Sequence, residues 1–155
     1  MLTAQEVEIT QFLNTWEAKI AEYKNEAQLA EQDMMNKHQS DLLALEQDLR
    51  LSLPLFVRTN PKILNLKKMV EVMAKQKEFV QAEKIKSQIT ILEDFELRKC
   101  EEQKEQKIIY ILSQLAGKQK NEINGLKKRV SAGYASLLQA RDTEKIQYTS
   151  SQKQG

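Results

Sequence analysis

Residue types that commonly carry chemistry are scarce in this sequence. His38 is the single histidine and Cys100 the single cysteine among 155 residues, so one chain can form neither a disulfide nor a cysteine–histidine zinc cluster. No glycine-rich phosphate-binding loop occurs. The carboxylates are numerous, but they are spread along helical segments where they lie solvated and far apart. We therefore expect no enzymatic activity, no catalytic residues, no metal and no cofactor.

Basic side chains that could contact phosphate groups form two small clusters, at Lys62, Lys67 and Lys68 and at Lys127, Lys128 and Arg129. The clusters are small and aromatic stacking residues are missing, so we do not expect nucleic-acid binding. Apolar runs are only a few residues long, and no basic amphipathic segment carries a broad bulky face. Membrane binding is therefore not expected either.

The composition predicts an all-α protein, an elongated coiled coil of long helices with a helical hairpin. Charged residues make up 30% of the chain and aromatic residues 6%, with four glycines and two prolines. Glu, Lys, Gln, Leu and Ala dominate, as is typical of long helices and coiled coils. The lone cysteine and the absence of a basic and apolar leader favour the cytoplasm or the cytoskeleton.

Residues 1–52 are predicted to form one long N-terminal helix. Thr3 and Glu6 fit a capping box at its start. Apolar or small residues then recur at coiled-coil spacing, and the stripe continues through His38, where successive steps of four suggest a local stutter. The stripe consists of Phe12, Trp16, Ile20, Tyr23, Ala27, Ala30, Met34, His38, Leu42, Leu45 and Leu49.

Residues 53–61 form an unusually apolar linker that contains both prolines. Leu55 and Phe56 would be costly to leave in water, so we expect this segment to dock, either on the chain's own hairpin or on a partner. Asn60 followed by Pro61 predicts an N-cap with a proline in the first turn of the next helix.

Residues 62–96 carry two short apolar stripes around a polar stretch at 75–79, which favours an antiparallel helical hairpin. One uninterrupted helix is the alternative, because no Gly or Pro marks the turn. If Phe79 is buried where the two helices cross, its replacement by Ala should cost a few kcal/mol. Residues 97–148 are predicted to form a long C-terminal helix, followed by a polar tail at 149–155 that looks disordered in isolation.

Charge is distributed unevenly along the chain. Residues 1–50 hold ten acidic and four basic side chains, whereas residues 51–155 hold twenty basic and twelve acidic ones. Such halves can pair with each other, or the basic half can lie on an acidic surface. Trp16 and Tyr23 either pack on the protein's own later helices or anchor a partner, since both residue types dominate interface hot spots.

Residues 61–96 also resemble a family of coiled-coil proteins found in flagellated and ciliated protists, and their core is similar to the short UVR helical hairpin. The resemblance rests on Leu64-Asn65-Leu66-Lys67, on Ala74-Lys75-Gln76-Lys77 followed by Phe79, and on Ala82-Glu83-Lys84-Ile85-Lys86. Looser similarity covers Trp16, Tyr23, Met34 and His38 upstream and the segment 126–133 downstream.

The chain departs from this family at Thr59-Asn60-Pro61, where a phenylalanine and a serine are usual, and in its short C-terminus. The resemblance implies a structural protein of the ciliary or flagellar axoneme that binds tubulin or other axonemal proteins. Alternatives are self-association, a coiled-coil adaptor that binds other partners through the hairpin, and a nucleic-acid-linked protein that uses a UVR-like hairpin. The candidate protein-binding residues are Trp16, Tyr23, Leu55, Phe56, Lys67, Lys68, Phe79, Lys127, Lys128 and Arg129.

Overall fold

The fold is all-α, as predicted. A computed structural model describes residues 3–55, 57–58 and 60–154, with side chains described up to Ser151. Its three helices are α1 (Ala4–Ser52), α2 (Pro61–Lys75) and α3 (Phe79–Gln154). The described residues divide into two units. Unit 1 comprises Met1–Leu43 with Leu115–Gly155, and unit 2 comprises Ala44–Gln114.

Local capping interactions fix the starts of α1 and α2. Thr3 and Glu6 form the predicted capping box, in which the Thr3 amide donates to the Glu6 carboxylate at 3.0 Å and the Glu6 amide donates to the Thr3 hydroxyl at 3.2 Å. Asn60 accepts a hydrogen bond from the Lys62 amide at 2.9 Å, with Pro61 in the first turn. Each cap satisfies amides that have no partner within the helix.

The hairpin turn lies between α2 and α3, at residues 76–78. The Glu78 amide donates to the Met73 carbonyl at 2.9 Å, and the Lys77 amide donates to the Ala74 carbonyl at 3.2 Å. This pair of bonds is the Schellman motif, which needs a left-handed residue at the position of Lys77. Lys77 has φ of 63°, so a lysine adopts the conformation that glycine usually supplies.

The structure continues α3 without interruption from the hairpin through the predicted C-terminal helix. The segment 149–154, predicted as a polar tail, forms the last part of α3. Its composition contains no helix-breaking residue before Gly155, and the hydroxyl of Thr149 bonds back to the Lys145 carbonyl at 2.8 Å. The polar composition therefore did not mark a helix end.

In unit 1, the first part of α1 packs antiparallel against the last part of α3. The Tyr148 hydroxyl donates to Glu8 at 3.1 Å, the Tyr23 hydroxyl to the Val130 carbonyl at 2.9 Å, and the Gln119 amide to the His38 carbonyl at 2.9 Å. Residues later in α1 therefore contact residues earlier in α3, as an antiparallel pair requires.

Buried and half-buried positions of α1 recur in steps of four, four and three throughout. They are Phe12, Trp16, Ile20, Tyr23, Ala27, Glu31, Met34, His38, Leu42, Leu45 and Leu49. Glu46, which accepts hydrogen bonds from Arg50 one turn later, is also half-buried and lies outside this series. The predicted stripe therefore holds at every position except Ala30, and the successive steps of four are not confined to His38, because the 11-residue spacing holds on both sides of that residue. Glu31 takes the place expected for Ala30, which is exposed. Eleven residues in three turns, about 3.67 per turn, lie closer to an ordinary α-helix than the heptad does.

Unit 2 contains the hairpin, in which α2 packs antiparallel against the start of α3. Ile63 on α2 and Ala82 and Ile89 on α3 are buried. Asn60 donates to Glu96 at 3.2 Å, and Lys67 pairs with Glu93 at 3.1 Å. The structure thus supports the hairpin over one uninterrupted helix.

The end of α1 is held to α3 in unit 2 by one bidentate ion pair. Arg50 donates to both carboxylate oxygens of Glu105, at 2.8 and 3.0 Å. These hydrogen bonds lower the pKa of Glu105 and raise that of Arg50. The favourable interaction is therefore present above the ordinary pKa of a glutamate and is lost as pH falls through the lowered value.

Replacing Lys77 by Gly should stabilise the protein by about 1 kcal/mol, because a side chain in the left-handed conformation is strained and glycine is not. Thermal unfolding followed by circular dichroism measures the effect. Lys75→Gly is the matched control, since the same substitution inside the last turn of α2 should lower stability by about 1 kcal/mol. Equal losses in both variants would contradict the strain at Lys77.

Candidate protein-binding surfaces

Few side chains of this protein are buried. Among the described residues they are Trp16, Ile63, Ala82, Ile89, Cys100 and Ile108, with Gln119 as the buried polar side chain. Twenty large apolar residues are exposed, and thirteen of them belong to unit 2. Exposed apolar residues among those described are therefore concentrated in unit 2.

Trp16 packs inside unit 1 and does not offer its ring to a partner. It is 6% exposed, and the Lys19 ammonium lies 4.7 Å from the ring centroid. The antiparallel pairing set by Tyr23 and Val130 brings the segment around Leu138 of α3 opposite Trp16. Of the two interpretations of Trp16, the structure supports packing on the chain's own helices.

Tyr23 also packs within unit 1, at a point where α1 and α3 approach closely. Its hydroxyl donates to the Val130 carbonyl, and its ring crosses the backbone at Gly133. A Cβ built on Gly133 would overlap the Tyr23 hydroxyl and lie 3.1 Å from Cζ of the ring. Gly133 is therefore needed for the close approach, whereas a Cβ at Gly117 would meet nothing within 4 Å.

A polar layer interrupts the apolar seam of unit 1. The Gln119 side-chain amide is buried and donates to the His38 carbonyl. A hydrogen bond of 2.8 Å joins Nε2 of the His38 ring to the Glu122 carboxylate. A buried polar layer fixes the register of paired helices. Gln119 was missed from sequence, although its 11-residue spacing from Ile108 and Val130 was a signal that could have found it.

Charges of unit 1 balance within the unit. Residues 1–43 hold eight acidic and three basic side chains, and residues 115–155 hold three acidic and eight basic ones. Lys127 lies 3.6 Å from Glu31 across the pair. Of the basic cluster at 127–129, Lys127 is thus partly used internally, whereas Lys128 and Arg129 are exposed without a described ion pair.

The predicted linker residues differ in burial. Leu53 is half-buried, Leu55 is 38% exposed and Val57 is 50% exposed. Leu55 lies with Arg50, Glu105 and Ile108 around one groove of unit 2. Phe56 lies outside the described residues. The linker is therefore docked on the chain's own helices only in part.

Phe79 does not fill the hairpin crossing. It is 62% exposed at the first position of α3, and Ala82 and Ile89 occupy the buried side. The condition for a loss of a few kcal/mol on Phe79→Ala, burial of the ring in the crossing, is therefore not met. The aromatic side chain instead joins the exposed apolar surface at the tip of the hairpin.

One side of α2 combines apolar and cationic side chains. Leu64, Lys68, Val72 and Lys75 follow one another in steps of four, four and three, so they share one side of the helix. They point away from the packed side, which contains Ile63, Leu66, Val70 and Met73, and all four are exposed. We call these four residues the outer face of α2. Lys67 lies beside this face and is paired with Glu93.

The outer face of α2 belongs to a basic segment. Residues 61–86 hold seven basic and three acidic side chains. Lys67 and Lys86 are in ion pairs, and the other five cations have none among the described residues. Excess positive charge is therefore concentrated on the hairpin, beside exposed apolar groups.

Comparisons with known proteins do not assign this chain to a family. No family model matches it, and neither the curated proteins nor the solved structures contain a significant match. Within the described ranges, none of the helices offers an apolar stretch that could span a bilayer, and nowhere do three or more His, Cys, Asp or Glu side chains gather so that they could hold a metal ion.

Replacing Gly133 by Ala should destabilise the protein by about 1–3 kcal/mol, because the new methyl group displaces the Tyr23 ring from its packed position. Gly117→Ala is the control. It should stabilise the protein by about 1 kcal/mol through helix propensity alone. Chemical denaturation of both variants measures the difference.

The double variant Tyr23→Phe/Gly133→Ala tests whether the loss in Gly133→Ala comes from overlap of the new methyl group with the Tyr23 hydroxyl. Removal of the hydroxyl should recover part of the loss, so the two changes together should cost less than their sum. Strictly additive losses would show that Gly133 is not required by the Tyr23 hydroxyl.

Proposed function

We propose that this chain is a structural, non-enzymatic protein that binds microtubules in the axoneme of a cilium or flagellum. Its likeness in sequence to flagellar coiled-coil proteins suggests the location, and its exposed apolar and cationic side chains suggest binding to another protein. The observation that carries the proposal is the outer face of α2. Two lysines without described ion pairs alternate there with two exposed apolar residues.

Such a face suits an acidic protein surface, of which the tubulin lattice is the example we favour. Leu64 and Val72, 46% and 52% exposed, supply apolar area, and Lys68 and Lys75 supply charge. Electrostatic attraction accelerates association, while apolar burial slows release. Unit 1 has no net charge, so the hairpin is the part of the chain best suited to an acidic lattice.

The alternative is a cytoplasmic coiled-coil adaptor that uses the hairpin to bind partners other than tubulin. The exposed ring of Phe79 favours this alternative, because aromatic residues are enriched at the centres of specific protein interfaces. A pull-down from a ciliated cell distinguishes the two. A defined set of soluble proteins without tubulin would favour the adaptor.

Cosedimentation of the purified chain with polymerised tubulin tests the proposal. The chain should pellet with microtubules, with an affinity that falls as salt is raised. Lys68→Glu/Lys75→Glu should weaken binding about tenfold or more, since two attractions become repulsions. Lys118→Glu/Lys120→Glu, the same change on exposed residues of unit 1, is the control and should bind nearly as well as the parent.

Imaging of the tagged chain in a ciliated cell tests the location. We expect signal along the axoneme. Diffuse cytoplasmic signal, together with no pelleting in the cosedimentation experiment, would refute a microtubule-binding role.

A further inference from the structure

The first part of α3 also carries a stripe of exposed residues, on the side away from α2. Its members are Lys84, Gln88, Ile91, Phe95, Arg98 and Glu102, and all are exposed. They follow in steps of four, three, four, three and four, which is the spacing of a coiled-coil seam. The packed side of the same segment contains Ala82, Ile85, Ile89, Leu92 and Glu96. We call the six exposed residues the outer stripe of α3.

The centre of the outer stripe is strongly apolar. Ile91 is 67% exposed and Phe95 is 61% exposed, and one helical turn separates them. A pair of large side chains at seam spacing gains free energy when another helix covers it. The stripe differs from the outer face of α2, where lysines and apolar residues alternate.

Two copies of the stripe that run in opposite directions match each other in charge and in apolar character. Lys84 and Glu102 lie nine residues on either side of Glu93, Gln88 and Arg98 lie five residues on either side, and Ile91 and Phe95 lie two. In an antiparallel pair of identical stripes, the Lys84 ammonium therefore faces the Glu102 carboxylate of the other copy. The apolar centres meet between these ends.

The charged side chains of the stripe have no ion-pair partner in the part of the chain that the structure describes. Lys84, Arg98 and Glu102 form no ion pair among the described residues, whereas their neighbours Lys86 and Glu93 are paired with Glu83 and Lys67. A parallel arrangement would bring Lys84 against Lys84 and Glu102 against Glu102. Charge complementarity thus selects the antiparallel arrangement.

We propose that the outer stripe of α3 binds a second copy of this chain, forming an antiparallel dimer with a two-fold axis beside Ile91 and Phe95. The same patch serves both subunits, as a two-fold interface requires. Each copy covers the Ile91 and Phe95 of the other, and two Lys84–Glu102 pairs close the ends. This inference does not depend on microtubule binding.

Sedimentation of the full chain between about 1 and 200 µM tests the dimer. The mass should rise from the 18.0 kDa of one chain to twice that value. Phe95→Ser should weaken the dimer about a hundredfold, because both copies lose the ring. Phe79→Ser is the matched control. It removes an equally exposed Phe from outside the stripe and should leave the dissociation constant within about threefold of the parent value.

Charge reversal tests the antiparallel arrangement. Lys84→Glu and Glu102→Lys should each weaken the dimer about tenfold, because like charges then meet at both ends. The double variant should return to within about threefold of the parent, whereas Lys62→Glu should have little effect. The stripe is surface-exposed, so circular dichroism should show unchanged helix content in every variant.

A single chain mass over the whole concentration range would overturn the proposal. So would a dimer that Phe79→Ser weakens more than Phe95→Ser does. Failure of the double charge variant to recover would rule out the antiparallel pairing of Lys84 with Glu102.

Discussion

One side of an α-helix is buried only when another element packs against it. Two helices in contact bury only one strip of each other's surface. That constraint governs this protein. In unit 1, α1 and α3 cover each other along one seam, and in unit 2 the start of α3 is covered by α2 on one side. Large apolar side chains on the remaining sides stay exposed. Under the proposals made above, contact with another protein covers these surfaces.

The two units use their charges differently. In unit 1 the acidic part of α1 meets the basic part of α3, and the net charge is balanced inside the pair. In unit 2 the segment 61–86 keeps an excess of cations, most of them unpaired among the described residues. Charge pairing thus supports the folding of unit 1, whereas the hairpin of unit 2 keeps unpaired positive charge.

Local signals predicted much of this fold. The caps at Thr3 and Asn60 use side chains that bond to nearby amides, so the sequence carries their full information. The turn at Lys77 was harder to predict, because a lysine occupies the left-handed position where glycine is expected. The end of α3 was misjudged because polar composition does not by itself stop a helix.

Burial was less predictable than helix position. Glu31 replaces Ala30 in the seam because the aliphatic part of a long side chain can be covered while its carboxylate reaches Lys127. For Phe79 the sequence left burial in the hairpin crossing as a condition, and its position at the start of α3 leaves the ring outside. Neither outcome follows from residue type. Both depend on which side of a helix meets its neighbour.

The 11-residue spacing of α1 also bears on how such a protein can change in length during evolution. Phe12, Tyr23, Met34 and Leu45 are equivalent positions of one repeat, as are Leu115, Leu126 and Leu137 on α3. Losing or gaining one whole repeat in each helix keeps the remaining seam residues turned towards the partner helix. It changes the length of each helix by about 16 Å. Insertions of other sizes rotate the seam away from its partner. Helix pairs that keep this spacing lengthen in increments of one repeat.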